Sequence, residues 1–312
     1  PAGRFAQSPQ TGLGIDTCRD CAAGYASSEG SVLCTICPAG KFAAARASQC
    51  SNCTAGLFQE KLGTSSCVTC PGGSATNQDG ATNCTLCPLG RAKPAGSGDP
   101  SCSSCDAGWY ADQIGLASCK ACTAGKYSTG SASTCTLCEP GRSQPNTLSS
   151  SCIPCQQGTF TPSNGSATCQ NCPPGKYSLG VGDTTVCSLC EPGKYQNASS
   201  SASCKECGEG FSQSIAGSIN CSICGPGTFA NVSGMPVCEP CGPGFYANGE
   251  GFTNCRPCEI GRFADVAGLT ICRECPVGRA ANSSGSLLCA PCEPGYAQVC
   301  TVEWFHVVNI RW

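Results

Sequence analysis

The cysteines are the chemically richest residues of this chain, and they recur in pairs separated by two residues. Seventeen C-x-x-C pairs run from Cys18 and Cys21 to Cys289 and Cys292, at a period of 16 to 18 residues, and Cys300 brings the count to 35. Such pairs do one of three things: exchange electrons, hold a metal ion, or staple the chain. Redox catalysis needs one C-x-x-C on a βαβ scaffold, and no segment here has a helical period. Zinc sites use two pairs across a loop of roughly 15–20 residues, and the linkers here hold 12 to 14. Spacing alone therefore leaves metal open. Other features argue for staples. The one histidine, His306, lies in the tail, and seventeen pairs do not divide into four-cysteine sites. Seven N-x-S/T sequons imply secretion, and disulfides persist in oxidising compartments. Disulfides are expected, with no metal, no cofactor and no redox site.

Pairing is not fixed by counting, but the period favours bonding the second cysteine of each pair to the first of the next. That gives Cys21–Cys34, Cys37–Cys50, Cys53–Cys67, Cys70–Cys84, Cys87–Cys102, Cys105–Cys119, Cys122–Cys135, Cys138–Cys152 and Cys155–Cys169. The series continues Cys172–Cys187, Cys190–Cys204, Cys207–Cys221, Cys224–Cys238, Cys241–Cys255, Cys258–Cys272, Cys275–Cys289 and a shortened Cys292–Cys300. Each closure is worth about 3 kcal/mol in the chain-entropy account. The rival is an interlocked ladder with crossing bonds. Under the sequential scheme Cys18 is left over, with its partner expected just upstream of Pro1. Residues 1–17 then read as a partial repeat, 18–300 as the array and 301–312 as a non-repeat tail, all within a longer precursor.

The segments that must position the cysteines carry their own signals. Glycine stands three residues after the second cysteine of every pair, as at Gly24, Gly40, Gly193 and Gly244. Proline often precedes it, as at Pro140, Pro174, Pro192 and Pro243. Pro-Gly marks a type II turn, in which glycine takes the left-handed position. An aromatic follows the turn in most repeats, among them Phe5, Tyr25, Phe42, Tyr177, Phe211 and Tyr296, and is expected to pack on a disulfide as a miniature core. Ala75, Ala92, Ser143 and Ala280 replace it. A second glycine often lies four residues before the next pair, as at Gly30, Gly63, Gly165 and Gly217. The fold class follows: small disulfide-rich repeats of short β-hairpins and turns, with essentially no helix, stacked as an elongated, solenoid-like rod. Each repeat should touch only its neighbours.

This pattern is similar to a known family. Cys37-Pro38-Ala39-Gly40-Lys41-Phe42 to Cys50, and Cys172-Pro173-Pro174-Gly175-Lys176-Tyr177 to Cys187, resemble the ephrin-receptor-like cysteine-rich repeat and the small modules of tumour necrosis factor receptors. The resemblance covers residues 1 to about 298. It implies extracellular stalks, adhesion surfaces or binding modules, in long arrays.

Composition excludes several other classes. The net charge is −2 with acids and bases scattered, so neither nucleic acid nor an anionic membrane is an expected partner. No apolar run is long enough to span a membrane. No catalytic constellation appears: Glu139, Glu191, Glu259 and Glu293 recur singly, as solvated turn residues. Expected glycan acceptors are Asn164, Asn197, Asn231 and Asn282. Asn52, Asn83 and Asn220, which carry cysteine in the middle position, rank behind them. The tail, with Trp304, Phe305, Val307, Ile310 and Trp312, reads as a cap, a docking strand, an artefact or the start of another domain.

Two readings of function follow. One is a secreted, glycosylated structural protein that forms or decorates a cell-surface filament or appendage, by self-association or by binding other matrix proteins. The other is a receptor or adhesin stalk that binds a protein or glycan, with anchors such as Trp109-Tyr110 or Phe245-Tyr246. Neither is an enzyme.

Overall fold

The computed structural model describes residues 1–7, 17–180, 182 and 184–292. Among these there are 34 short strands and no helix. Strands pair in sequence order into two-stranded antiparallel hairpins. The first hairpin, β1 (Arg4–Gln7) with β2 (Thr17–Asp20), has four residues per strand, and each later one has two. The chain divides into two bodies, Pro1–Ile153 with Ser163–Thr168 and Pro154–Pro162 with Cys169–Trp312, and the same local rules hold within each.

Each hairpin is built the same way. In the second repeat the Lys41 N–H donates to the Pro38 carbonyl at 3.1 Å, closing a turn with Gly40 at φ 81°. The same turn has proline before the glycine in the eleventh repeat, where the Lys194 N–H donates to Glu191 at 3.0 Å and Gly193 has φ 84°. These are the type II turns that Pro-Gly encodes. Lys41 and Phe42 then pair with Asn52 and Ser51. The two residues inside each C-x-x-C are thus the return strand, and they are exposed.

This geometry explains the cysteine spacing. Residues three apart on an extended strand face opposite sides, so the two cysteines of a pair serve different loops. Sixteen disulfides join the cysteines sequentially, from Cys21–Cys34 to Cys275–Cys289. We number the repeats by these bonds. Cys18 is exposed and outside any disulfide. Cys292–Cys300 and the tail lie outside the described residues.

The core of each repeat is small. The leading cysteine of nearly every bond is essentially inaccessible, as at Cys37, Cys53 and Cys138, while Cys275 is half-buried. Beside it lies the residue three places after the turn glycine: Ala43, Gln59, Lys93, Ala111, Ser128, Thr161 or Ala230, all buried. The rings are not that core, contrary to expectation. Phe42, Phe58 and Tyr177 stand two places after the glycine and are only half-buried. Tyr25 and Phe211 stand one place after it, on the opposite strand face, and are exposed. In those repeats Ala26 and Ser212 take the inward position, as strand parity requires.

The expectation of nearest-neighbour stacking is corrected too. A regular joint between consecutive repeats has three backbone hydrogen bonds. Between repeats 13 and 14 these run from Gly227 N–H to Ala247 O (2.8 Å), Ala230 N–H to Phe252 O (3.0 Å) and Gly251 N–H to Cys224 O (2.8 Å). Each turn glycine in a regular stretch also lies against the repeat two further on. A Cβ at Gly40 would sit 2.1 Å from the Gly80 carbonyl oxygen, and one at Gly193 would sit 2.0 Å from that of Gly234. No side chain fits there; at Gly261 and Gly278, where a Cβ would meet nothing within 4 Å, the positive φ of 88° and 83° still favours glycine.

The second glycine has a different reason. Its register has positive φ at each of its described residues, including the non-glycine residues Arg46 (65°), Ser131 (52°), Leu148 (59°) and Ser200 (55°). Here conformation alone favours glycine, and a Cβ at Gly30 would meet nothing within 4 Å. A penalty of about 1–2 kcal/mol is tolerable where a collision with backbone is not.

Candidate functional site

Because the joints are made of backbone, side chains are left to clip loops or to face solvent. Glutamine at the buried position clips its own loop. Gln59 Nε2 donates to Ser66 O at 2.9 Å while its Oε1 accepts from Lys61 N–H at 3.1 Å. Gln144, Gln196 and Gln213 do the same. Arginine after the turn glycine caps a cysteine carbonyl, as Arg91 Nη1 does to Cys102 O at 3.1 Å. None of these arrangements juxtaposes a nucleophile and a base. Among the described residues no cluster of three or more His, Cys, Asp or Glu is placed to hold a metal ion.

Charged groups pair at the surface. Asp20 on β2 lies 2.7 Å from Arg4 Nε and 2.6 Å from Arg46 Nη2, tying the first hairpin to repeat 2. The hydrogen bond from Arg46, aided by the charge of Arg4, holds the Asp20 carboxyl below its usual value. Lys120 and Asp112 pair at 2.7 Å across one loop, and their hydrogen bond lowers the Asp112 pKa and raises that of Lys120. In the same register Arg273 meets Asp265 at 2.8 Å. These exposed pairs trim the surface and contribute little stability.

All seven sequon asparagines are exposed: Asn52, Asn83, Asn164, Asn197, Asn220, Asn231 and Asn282. Asn52 lies on a return strand. Asn197 Oδ1 accepts from Lys205 Nζ at 3.5 Å. Of the aromatic anchors, Phe245 is 41% exposed, whereas Trp109, Tyr110 and Tyr246 are half-buried. They lie on separate hairpins and form no common site.

Sequence reasoning missed Lys93. It is 1% exposed, in the register that alanine, serine, threonine or glutamine fills elsewhere. Its Nζ donates to Cys70 O at 3.4 Å. In a regular joint that carbonyl accepts from the second-glycine N–H of the next repeat. Here Gly98 makes no such bond, and Thr76 N–H has no backbone acceptor. Only Gly73 N–H to Lys93 O (2.8 Å) remains of the three. Repeat 5 has a longer loop, with Cys87 and Cys102 15 residues apart. Its Ala95 packs on Gly72, where a Cβ would lie 3.2 Å from that of Ala95. Loop length is not the whole cause. The Cys172–Cys187 loop is equally long, yet Thr161 N–H there reaches Thr184 O at 3.1 Å. The available sequence signal was the lone lysine in a register of small and amide residues. Beside this joint lies an open cleft of about 540 Å³.

Comparison with known proteins agrees with the repeat chemistry. The family model described as tyrosine-protein kinase ephrin type A/B receptor-like matches residues 40–87, 143–182, 175–224 and 244–292, together more than half of the chain. No curated protein matches. Each matched segment carries turn glycines, return strands and sequential disulfides of this kind, and the chain belongs to the ephrin-receptor-like cysteine-rich repeat family.

Proposed function

We propose that this chain is a non-catalytic extracellular structural protein, a stapled spacer that forms or decorates a cell-surface filament or appendage. The observation that carries this reading is the joint. In the regular joints three backbone bonds and one glycine–carbonyl contact recur whether alanine, serine or glutamine fills the buried position. A joint made of backbone can be repeated without limit, and it leaves the outer residues free to vary. A disulfide in each described repeat suits an oxidising exterior. Within this reading, glycans on Asn164, Asn197, Asn231 and Asn282 shield the exposed loop residues, and Asn52, Asn83 and Asn220 are weaker acceptors. Partners are further copies of the chain or other matrix proteins, joined by heterologous contacts that propagate along an axis.

Electron microscopy of native material tests it. Ordered filaments labelled by an antibody to this chain are the expected result. Isolated copies tethered singly to a membrane would instead favour the stalk reading, for which the exposed Phe245 is the specific observation. Peptide mapping of the purified protein tests the glycan acceptors directly.

A further inference from the structure

The joint between repeats 4 and 5 departs from the regular pattern, and the residue it leaves with an unpaired backbone N–H, Thr76, lines a cleft. The cleft of about 540 Å³ lies within the size range of small-molecule sites. Its walls come from both repeats: Thr76, Asn77, Gln78 and Asn83 from one, Arg91 and Ser101 from the other. Thr76 contributes an orphan backbone N–H. The corresponding N–H is bonded to the next repeat at Gln59, Ala111, Ser128, Gln144 and Ala230 alike.

The chemistry of the walls selects a ligand class. Amides and hydroxyls each offer both donors and acceptors, which matches a ligand dense in hydroxyl groups. Leu86 and Pro88 add small apolar platforms that suit the C–H faces of a sugar ring. No carboxylate lines the cleft. The one charged group, Arg91, already spends Nη1 on the Cys102 carbonyl. The buried Lys93 ammonium holds the floor of the joint through Cys70 and is not among the lining residues. We infer that the repeat 4–repeat 5 cleft binds a neutral oligosaccharide. The inference is independent of the structural reading, since a spacer with or without a glycan site is still a spacer.

Two sources share this chemistry: a glycan of another molecule, or the chain's own glycan on Asn83 at the cleft rim. The test is a binding assay of the full chain against neutral di- to tetrasaccharides of glucose, galactose, mannose and N-acetylglucosamine. It uses wild type, Asn83→Gln, and an Asn77→Ala/Ser101→Ala double variant, with Asn171→Ala as a control on an exposed return strand. Backbone amide exchange of all variants verifies their folding and reads the Thr76 N–H directly. Binding by wild type, with about tenfold loss in the double variant, no loss in the control and slowed exchange at Thr76, is expected for an external glycan. Binding that appears only in Asn83→Gln supports the site with the chain's own glycan as occupant. No binding by either form, or binding that the double variant leaves unchanged, overturns the proposal.

Discussion

The joint between repeats 13 and 14 and the joint between repeats 4 and 5 solve the same problem differently. The first uses three backbone bonds of 2.8 to 3.0 Å over a fully buried Ala230. The second keeps one of the three and substitutes a lysine ammonium at 3.4 Å. In the regular joint the buried residue has only to be small or self-satisfied. In the irregular one it must reach across and satisfy a carbonyl that the backbone has abandoned. An unsatisfied buried carbonyl costs about 1–3 kcal/mol, so the lysine is explained by what it prevents. The difference teaches that backbone register, not side-chain packing, defines a joint here, and that a side chain is recruited when register fails.

The comparison can be broken most severely from the regular side. Gly193→Ala would drive a Cβ to 2.0 Å from the Gly234 oxygen and add left-handed strain, for a local loss of about 3 kcal/mol. Gly30→Ala, with open space around it, should lose only about 1 kcal/mol. Amide exchange around repeats 11 to 13 and repeat 1 reads both, and equal losses would defeat the steric account. The irregular side is probed by rate. Thr76 N–H should exchange on the order of tenfold faster than Gln59 N–H, in proportion to one missing hydrogen bond. Equal rates would mean that the ladder is not broken there.

Smaller effects sharpen the same contrast. Lys93→Ala should cost about 1.5 kcal/mol in repeats 4 and 5, by orphaning Cys70 O. Lys93→Gln should recover part of it by forming the clip seen at Gln59. Limited proteolysis of the 94–100 loop would report the ordering, and a glutamine variant no better than alanine would contradict it. Smallest is a gain. Leu148→Gly removes left-handed strain at φ 59° and should stabilise repeat 8 by about 1 kcal/mol, read as slower exchange of the amide at position 148, which donates to Cys122 O.

How much of this was legible beforehand depends on distance along the chain. The turn at Pro38–Lys41 is local, so its glycine and the hairpin after it could be read from the residues themselves. The collision that forbids a side chain at Gly40 involves Gly80, two repeats away, and nothing local announces it. The buried register was hidden for another reason. Ala43, Gln59, Lys93 and Ser128 share a position but no polarity, because a cystine supplies most of the apolar contact. The rings were conspicuous and misled: Tyr25 and Phe42 look equivalent, but one residue of offset puts them on opposite strand faces. Arg46 and Leu148 concealed the left-handed register by not being glycine.

The sequential disulfides also set what happens when the chain is pulled. Tension does not travel through a closed loop, because the sulfur bridge bypasses it. The cysteine Cα atoms of each bridge are 5.6 to 5.9 Å apart, and the C-x-x-C step to the next bridge spans at most about 10 Å. Even with every hairpin melted, a repeat would lengthen to only about 16 Å, whereas a reduced repeat of the same length would reach roughly 60 Å. The staples therefore act as a strain limiter, and the thiol–disulfide poise of the surroundings governs how far the chain can stretch.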